Sequence, residues 1–118
     1  MGKARILVVD DERNMRTTLS DILAEEGFEV STAESGERAV KICKHQPFDA
    51  VLMDVRMPGI DGIEASRRIR RIQRDIRVII MSAYSVDHLM EETLGEGIVA
   101  FLRKPLDAEY LITLLGDA

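Results

Sequence analysis

Tryptophan is missing from this 118-residue chain, and three Phe and two Tyr are its only large aromatics. A platform for stacking nucleic-acid bases needs more rings than that. Cysteine occurs once, at Cys43, which excludes an internal disulfide, and no His or Cys spacing suits zinc. No apolar run approaches the ~18 residues of a membrane span, and no charged-then-apolar leader opens the sequence. These absences predict a soluble, cytoplasmic protein without membrane contact. Positive charge is also short: 16 Lys and Arg face 21 Asp and Glu, for a formal net charge of -5. Phosphate backbones are gripped by clustered cations, so direct nucleic-acid binding is not expected. Repeats and low-complexity segments are lacking too. The length suits a single domain, residues 1–118, with a core that needs no staples. Met1-Gly2-Lys3 is expected to be a short frayed start.

What the chain does contain is a regular alternation of two patterns. Short apolar runs recur at Ile6–Val9, Ala50–Met53, Val78–Met81 and Ala100–Leu102. Continuous apolarity suits parallel strands covered on both faces. The more polar Glu29–Ala33 fits a strand at the sheet edge. Between these runs, apolar residues fall at helical spacing: Met15, Leu19, Ile22 and Leu23, with a stop at Gly27. Ala39, Val40 and Cys43 follow Ser35, a plausible N-cap. Ala65, Ile69 and Ile72 mark a third helix. Leu89, Met90 and Leu94 suggest a weaker fourth one, stopping at Gly95 or Gly97; Leu111, Leu114 and Leu115 give a short fifth. Five strand–helix repeats imply an α/β fold: a five-stranded parallel sheet of flavodoxin-like order 2-1-3-4-5 with helices on both faces.

The stretch ILVVDDERN, Ile6 to Asn14, drives a buried strand straight into three acids. In a parallel sheet the carboxyl ends of all strands share one edge, where ligands bind. The first strand ends at Asp10 and Asp11, the third at Asp54, the fourth at Ser82, and Lys104 follows the fifth. With strands about 4.8 Å apart, three carboxylates meet. They repel, and one must take up a proton unless something positive intervenes. A hard divalent cation, Mg²⁺, answers that need. Carboxylates and Mg²⁺ beside a hydroxyl and an amine suit phosphoryl transfer with a carboxylate nucleophile.

Each residue alone has a plainer explanation. The helix dipole favours acids such as Glu12 and Asp11 at a helix start, by roughly 0.3–1 kcal/mol each. Ser after a strand is usually a turn residue, and most lysines are solvated. Asp54, closing a different strand, escapes such an explanation, and four strand ends agree. The run SRRIRRIQRDIR, with Arg67, Arg68, Arg70, Arg71, Arg74 and Arg77, reads as the solvated face of the third helix. His45 and His88 read as ordinary surface residues.

ILVVDDE, VLMDVRMPGIDG, VIIMSAY and FLRKP stand in an order and spacing that resembles the receiver domain of two-component response regulators, over essentially the whole chain. The resemblance implies that Asp54 is the phosphoacceptor, taking a phosphoryl group from a sensor histidine kinase or phosphotransfer protein. It implies that Asp11 and Asp54 ligate Mg²⁺ directly, Asp10 through a water, and Arg56 through its backbone carbonyl. Lys104 would contact the acceptor and then the phosphoryl group, Ser82 would move to bond a phosphoryl oxygen, and Phe101 would be the switch aromatic. An isolated X-Pro bond is cis in only ~5–6% of cases, but the family implies a cis bond at Lys104-Pro105. The readout face would be the fourth helix, fifth strand and fifth helix. Where this family more often has Thr, Ser82 keeps the hydroxyl and lacks the methyl that helps fix its rotamer. Arg56 and Tyr84, each two residues past a site residue, would flank the path of hydrolytic water and slow dephosphorylation.

Three other readings compete. A haloacid-dehalogenase-type phosphatase shares the Asp nucleophile and Mg²⁺, but wants a second Asp where Arg56 stands. A flavin carrier wants a Ser/Thr/Gly-rich phosphate loop where this chain has acidic residues. A phosphorylation-independent interaction module would not need every group to be present. The resemblance implies a signalling domain rather than an enzyme of its own, and no output domain is legible in residues 1–118. Stand-alone regulator, relay intermediate and excised front end of a transcription factor stay open, as do the output partner and a phosphorylation-dependent homodimer.

Overall fold

Four residues in a row, Ile6 to Val9, have no exposed surface, because their strand is packed on both faces. The computed structural model describes residues 4–116, so the frayed start expected at residues 1–3 lies outside the described residues. Its elements alternate: β1 (Arg5–Val9), α1 (Arg13–Glu25), β2 (Glu29–Ala33), α2 (Gly36–Cys43), β3 (Ala50–Asp54), α3 (Gly62–Ile72), β4 (Arg77–Ser82), α4 (Asp87–Glu92), β5 (Ile98–Arg103) and α5 (Ala108–Gly116). The strands form one parallel sheet in the order β2-β1-β3-β4-β5, as the alternation predicts.

Side chains alternate across the strands, so the sheet feeds two cores. Leu7, Val9, Val51, Met53, Val78 and Ile80 pack with Ala39 and Cys43 of α2 and Ala65 and Ile69 of α3. Ile6, Val8, Leu52, Ile79 and Met81 pack with Leu19 and Leu23 of α1 and Leu111 and Leu115 of α5. Full burial of each such aliphatic side chain contributes roughly 1.5–3 kcal/mol. Helix ends follow local chemistry. The Ser35 hydroxyl accepts from Arg38 N–H at 3.1 Å, as expected of an N-cap, and Gly27, at φ +91°, ends α1.

Two expectations need correction. The fourth helix is only six residues long and stops at Glu92, short of Leu94, which is 81% exposed. Only Leu89 leans on the core; Met90 faces solvent, so the helical stripe has too few anchors to run on. The arginine run is not simply a solvated face. Arg67 makes a forked pair with Glu96 at 2.7 and 3.2 Å, tying α3 to the α4–β5 loop. Arg70 donates to the Ile76 carbonyl at 3.1 Å and lies where a Cβ on Gly97 would fall. Arg77 belongs to β4. Arg68, paired with Glu64, and Arg71 and Arg74 are exposed as expected.

Candidate functional site

Register brings the strand ends level. Val9 faces Met53 across the β1–β3 pairing, Asp54 faces Met81, and Ser82 faces Arg103. The residues just past β1 and at the end of β3 therefore converge. One carboxylate oxygen from each of Asp10, Asp11 and Asp54 lies within 4.8 Å of the others. Asp10 is wholly buried, Asp54 nearly so, and Asp11 is exposed.

Asp10 is fully engaged. Its Oδ1 accepts the Glu12 N–H at 2.9 Å, which satisfies a donor at the start of α1. Its Oδ2 accepts from Lys104 Nζ at 2.8 Å, and its carbonyl accepts from Arg16 Nη1 at 2.8 Å. The Lys104 ammonium also reaches Asp54 Oδ1, at 3.5 Å. It is thus shared between two carboxylates, nearer to Asp10. Burial works against its charge, but the hydrogen bond to Asp10 and the charges of Asp10 and Asp54 together hold its pKa above the ordinary value. Asp54 is pushed the other way. Burial, then the charge of Asp10, outweigh the help of Lys104 and lift its carboxyl to about 6.

Ser82 is buried at the end of β4, and its Oγ accepts from the Tyr84 N–H at 3.0 Å. The Lys104 N–H donates to the Ser82 carbonyl at 2.8 Å, which locks the ends of β4 and β5 together. The Lys104-Pro105 peptide is cis. Phe101 is half-buried against the α2–α3 core. Asp11, Asp54, Ser82 and Lys104 line a cleft of about 270 Å³ together with Arg56 and Tyr84. The Arg56 guanidinium lies over the Tyr84 ring, 4.4 Å from its centre.

Can these residues take a divalent cation? Three carboxylates meet one ammonium, and burial, then the charge of Asp10, bias the Asp54 carboxyl toward protonation. Oxygen donors at this closeness are what a hard cation asks for. The set fits.

Sequence reasoning missed two supporting contacts, Arg16 on the Asp10 carbonyl and Glu37 on the Ile60 N–H. Both join residues whose spacing carries no periodic signal.

The model of the response regulator receiver domain matches residues 6–116. The chain belongs to that family. The receiver is 36% identical to sporulation initiation phosphotransferase F of Bacillus subtilis over 92% of its own length and 88% of that protein's. It is 38% identical to the chemotaxis protein CheY of Bacillus subtilis, over 95% and 94% of the two. It is 41% identical to the transcriptional regulatory protein ZraR of Escherichia coli, of which it spans only 26%. Among solved structures it is similar to the response regulator TrrA of Thermotoga maritima in complex with Mg²⁺-BeF, at 37% identity, TM-score 0.86 and 97% of both chains. The chain is thus a receiver domain of two-component response regulators, and the phosphatase reading is not favoured. Among the described residues, no helix is long and apolar enough to cross a membrane.

Proposed function

We propose that this receiver accepts a phosphoryl group on Asp54 from a phosphohistidine of a sensor kinase or phosphotransfer protein, and that the resulting charge alters what it binds. An Asp54 carboxylate oxygen attacks phosphorus in line, the phosphorus–nitrogen bond of the donor breaks, and the imidazole leaves. An acyl phosphate remains on Asp54. Asp11 and Asp54, with the Arg56 backbone carbonyl, would hold Mg²⁺ directly, and Asp10 through a water. When bound, the ion neutralises charge on the phosphoryl oxygens.

Lys104 carries its ammonium within reach of Asp54, so it can follow the new charge from the carboxylates to the phosphoryl group. The Ser82 hydroxyl serves a neighbouring N–H in the unphosphorylated protein and is the group to be drawn to a phosphoryl oxygen. Phosphorylation adds a charge of about -1.5 to -2 and strong acceptor oxygens. Such a charge shifts a population only through contacts that differ between states. Ser82, its loop and the half-buried Phe101 are the element that can differ, read out on α4, β5 and α5. Residues 1–118 serve as one cytoplasmic receiver, with output in a binding partner or another domain.

The observation that carries this reading is the gathering of Asp10, Asp11 and Asp54 around one lysine. The test is incubation with acetyl phosphate and Mg²⁺, followed by intact mass. One phosphoryl group is expected, lost with chelator and absent in Asp54→Ala. Turnover of phosphomonoesters without a stable adduct would instead revive the phosphatase.

A further inference from the structure

The loop that leaves β3 folds back on itself. The Val55 N–H donates to the Met81 carbonyl at 3.1 Å, and the Gly62 N–H donates to the Val55 carbonyl at 2.8 Å. At its far end Asp61 caps α3 by accepting from Glu64 N–H at 2.9 Å. These bonds fix the two feet of the loop. Its arch, residues 57 to 60, needs another support.

That support comes from a residue outside the site. Glu37, in the first turn of α2, accepts the Ile60 N–H on Oε2 at 3.0 Å. Its carboxylate occupies the space into which a Cβ on Gly59 would project, and Gly59 stands at φ +84°. The Ile60 side chain in turn lies over Gly36, where a Cβ has no room. Hydrogen bonds, first from Ile60 N–H and then from its own N–H, keep the Glu37 carboxyl below the usual range. The bond to the arch is therefore charge-assisted, a stronger kind than a neutral pair.

We propose that Glu37 is a positioning residue for the acceptor loop: by holding the arch from α2, it pre-sets the Arg56 backbone carbonyl beside Asp54 for a divalent cation that Glu37 never touches. This rests on the reading of Asp54 and the Arg56 carbonyl as cation ligands. Groups that orient metal ligands from behind govern how tightly the ion is held. Glu37 acts on cation affinity, while the chemistry at a filled site is left alone.

The test is a Mg²⁺ titration of the whole chain followed by backbone amide resonances, paired with acetyl phosphate labelling at low and saturating Mg²⁺. Glu37→Ala should shift the Ile60 amide resonance and weaken Mg²⁺ binding by about fivefold, the scale of one exposed hydrogen bond. Its labelling should be slow at low Mg²⁺ and match the wild type at saturation. Glu37→Gln, which keeps an acceptor oxygen, should fall between the two. Equal Mg²⁺ affinity in the wild type and Glu37→Ala overturns the proposal, and so does a labelling deficit that persists at saturation. Should Glu37→Ala fail to fold, Glu37→Gln decides alone: wild-type affinity despite a shifted Ile60 resonance overturns it. A wild type that binds no Mg²⁺ brings down the underlying site reading instead.

Discussion

Lys104 and Asp10 make the tightest pair in the site, 2.8 Å apart, with the Asp10 side chain wholly buried and that of Lys104 only 13% exposed. The lysine therefore has a structural duty before any phosphoryl group arrives. It compensates a carboxylate that has no exposed surface of its own.

Removing that amine strands the charge. Lys104→Met should cost about 3–5 kcal/mol in metal-free protein, the scale of a buried pair broken on one side. Asp10→Asn in the same background should recover part of the loss. Urea unfolding at pH 7 with chelator measures both, and a loss of under ~1 kcal/mol, typical of a surface pair, would count against the assignment.

Asp54 supplies a pH signature with a definite sign. Its folded pKa is raised, from 3.8 to about 6, so the native state holds its proton more tightly than the unfolded chain does. Stability from this group is intact below pH 4, falls as pH rises through the window from about 4 to 6, and stays lost above it. The raised pKa corresponds to a loss on the order of 2–3 kcal/mol. Asp54→Asn should flatten this part of the stability profile in chelator. Mg²⁺ should raise the unfolding temperature more at pH 7.5 than at pH 4.5; equal shifts at both would contradict the crowding of charge.

The Arg56–Tyr84 stack lines the same cleft as Asp54. An exposed cation–π contact contributes ~0.5–1 kcal/mol, enough to keep both bulky groups in place much of the time. Arg56→Asn and Tyr84→Glu should each shorten the lifetime of the acyl phosphate several-fold by opening a path for water. Decay rates of the isolated phosphoprotein read this out, and unchanged rates in both variants would remove the stack from the account.

Gly62 is required by contact rather than by turn geometry. A Cβ there would run into the Asp54 carbonyl oxygen and crowd the buried Met53 side chain, so backbone must shift to admit it. Gly62→Ala should cost roughly 1–3 kcal/mol, as overpacking does. It should also slow labelling by acetyl phosphate by displacing the end of β3. Gly95→Ala, with no atom near its Cβ position, is the control for backbone strain alone.

Much of this was legible in residue order. A parallel sheet delivers its carboxyl ends to one edge, so Asp10, Asp11 and Asp54 could be placed together from strand patterns, with Ser82 and Lys104 beside them. Ser35 was recognisable as a cap because N-capping is local. What escaped was non-local or frustrated. Leu94 looks like a helix anchor by spacing, yet the chain turns at Gly95 and Gly97 before it can be buried. Arg67 and Arg70 sit in a run that reads as solvent-facing, but their partners, Glu96 and the Ile76 carbonyl, are known only once α3 is packed. Glu37 and Ile60 lie 23 residues apart and meet only through tertiary structure. Periodicity reports which face is apolar; it does not report which polar group on another element will answer.

The most direct test of the central claim is to trap the acyl phosphate. After acetyl phosphate and Mg²⁺, borohydride reduction should convert the labelled aspartate to homoserine, and peptide mass then reads its position. The account expects homoserine at position 54 alone, abolished by chelator. Homoserine at position 10 or 11, or at 54 undiminished without a divalent ion, would contradict it.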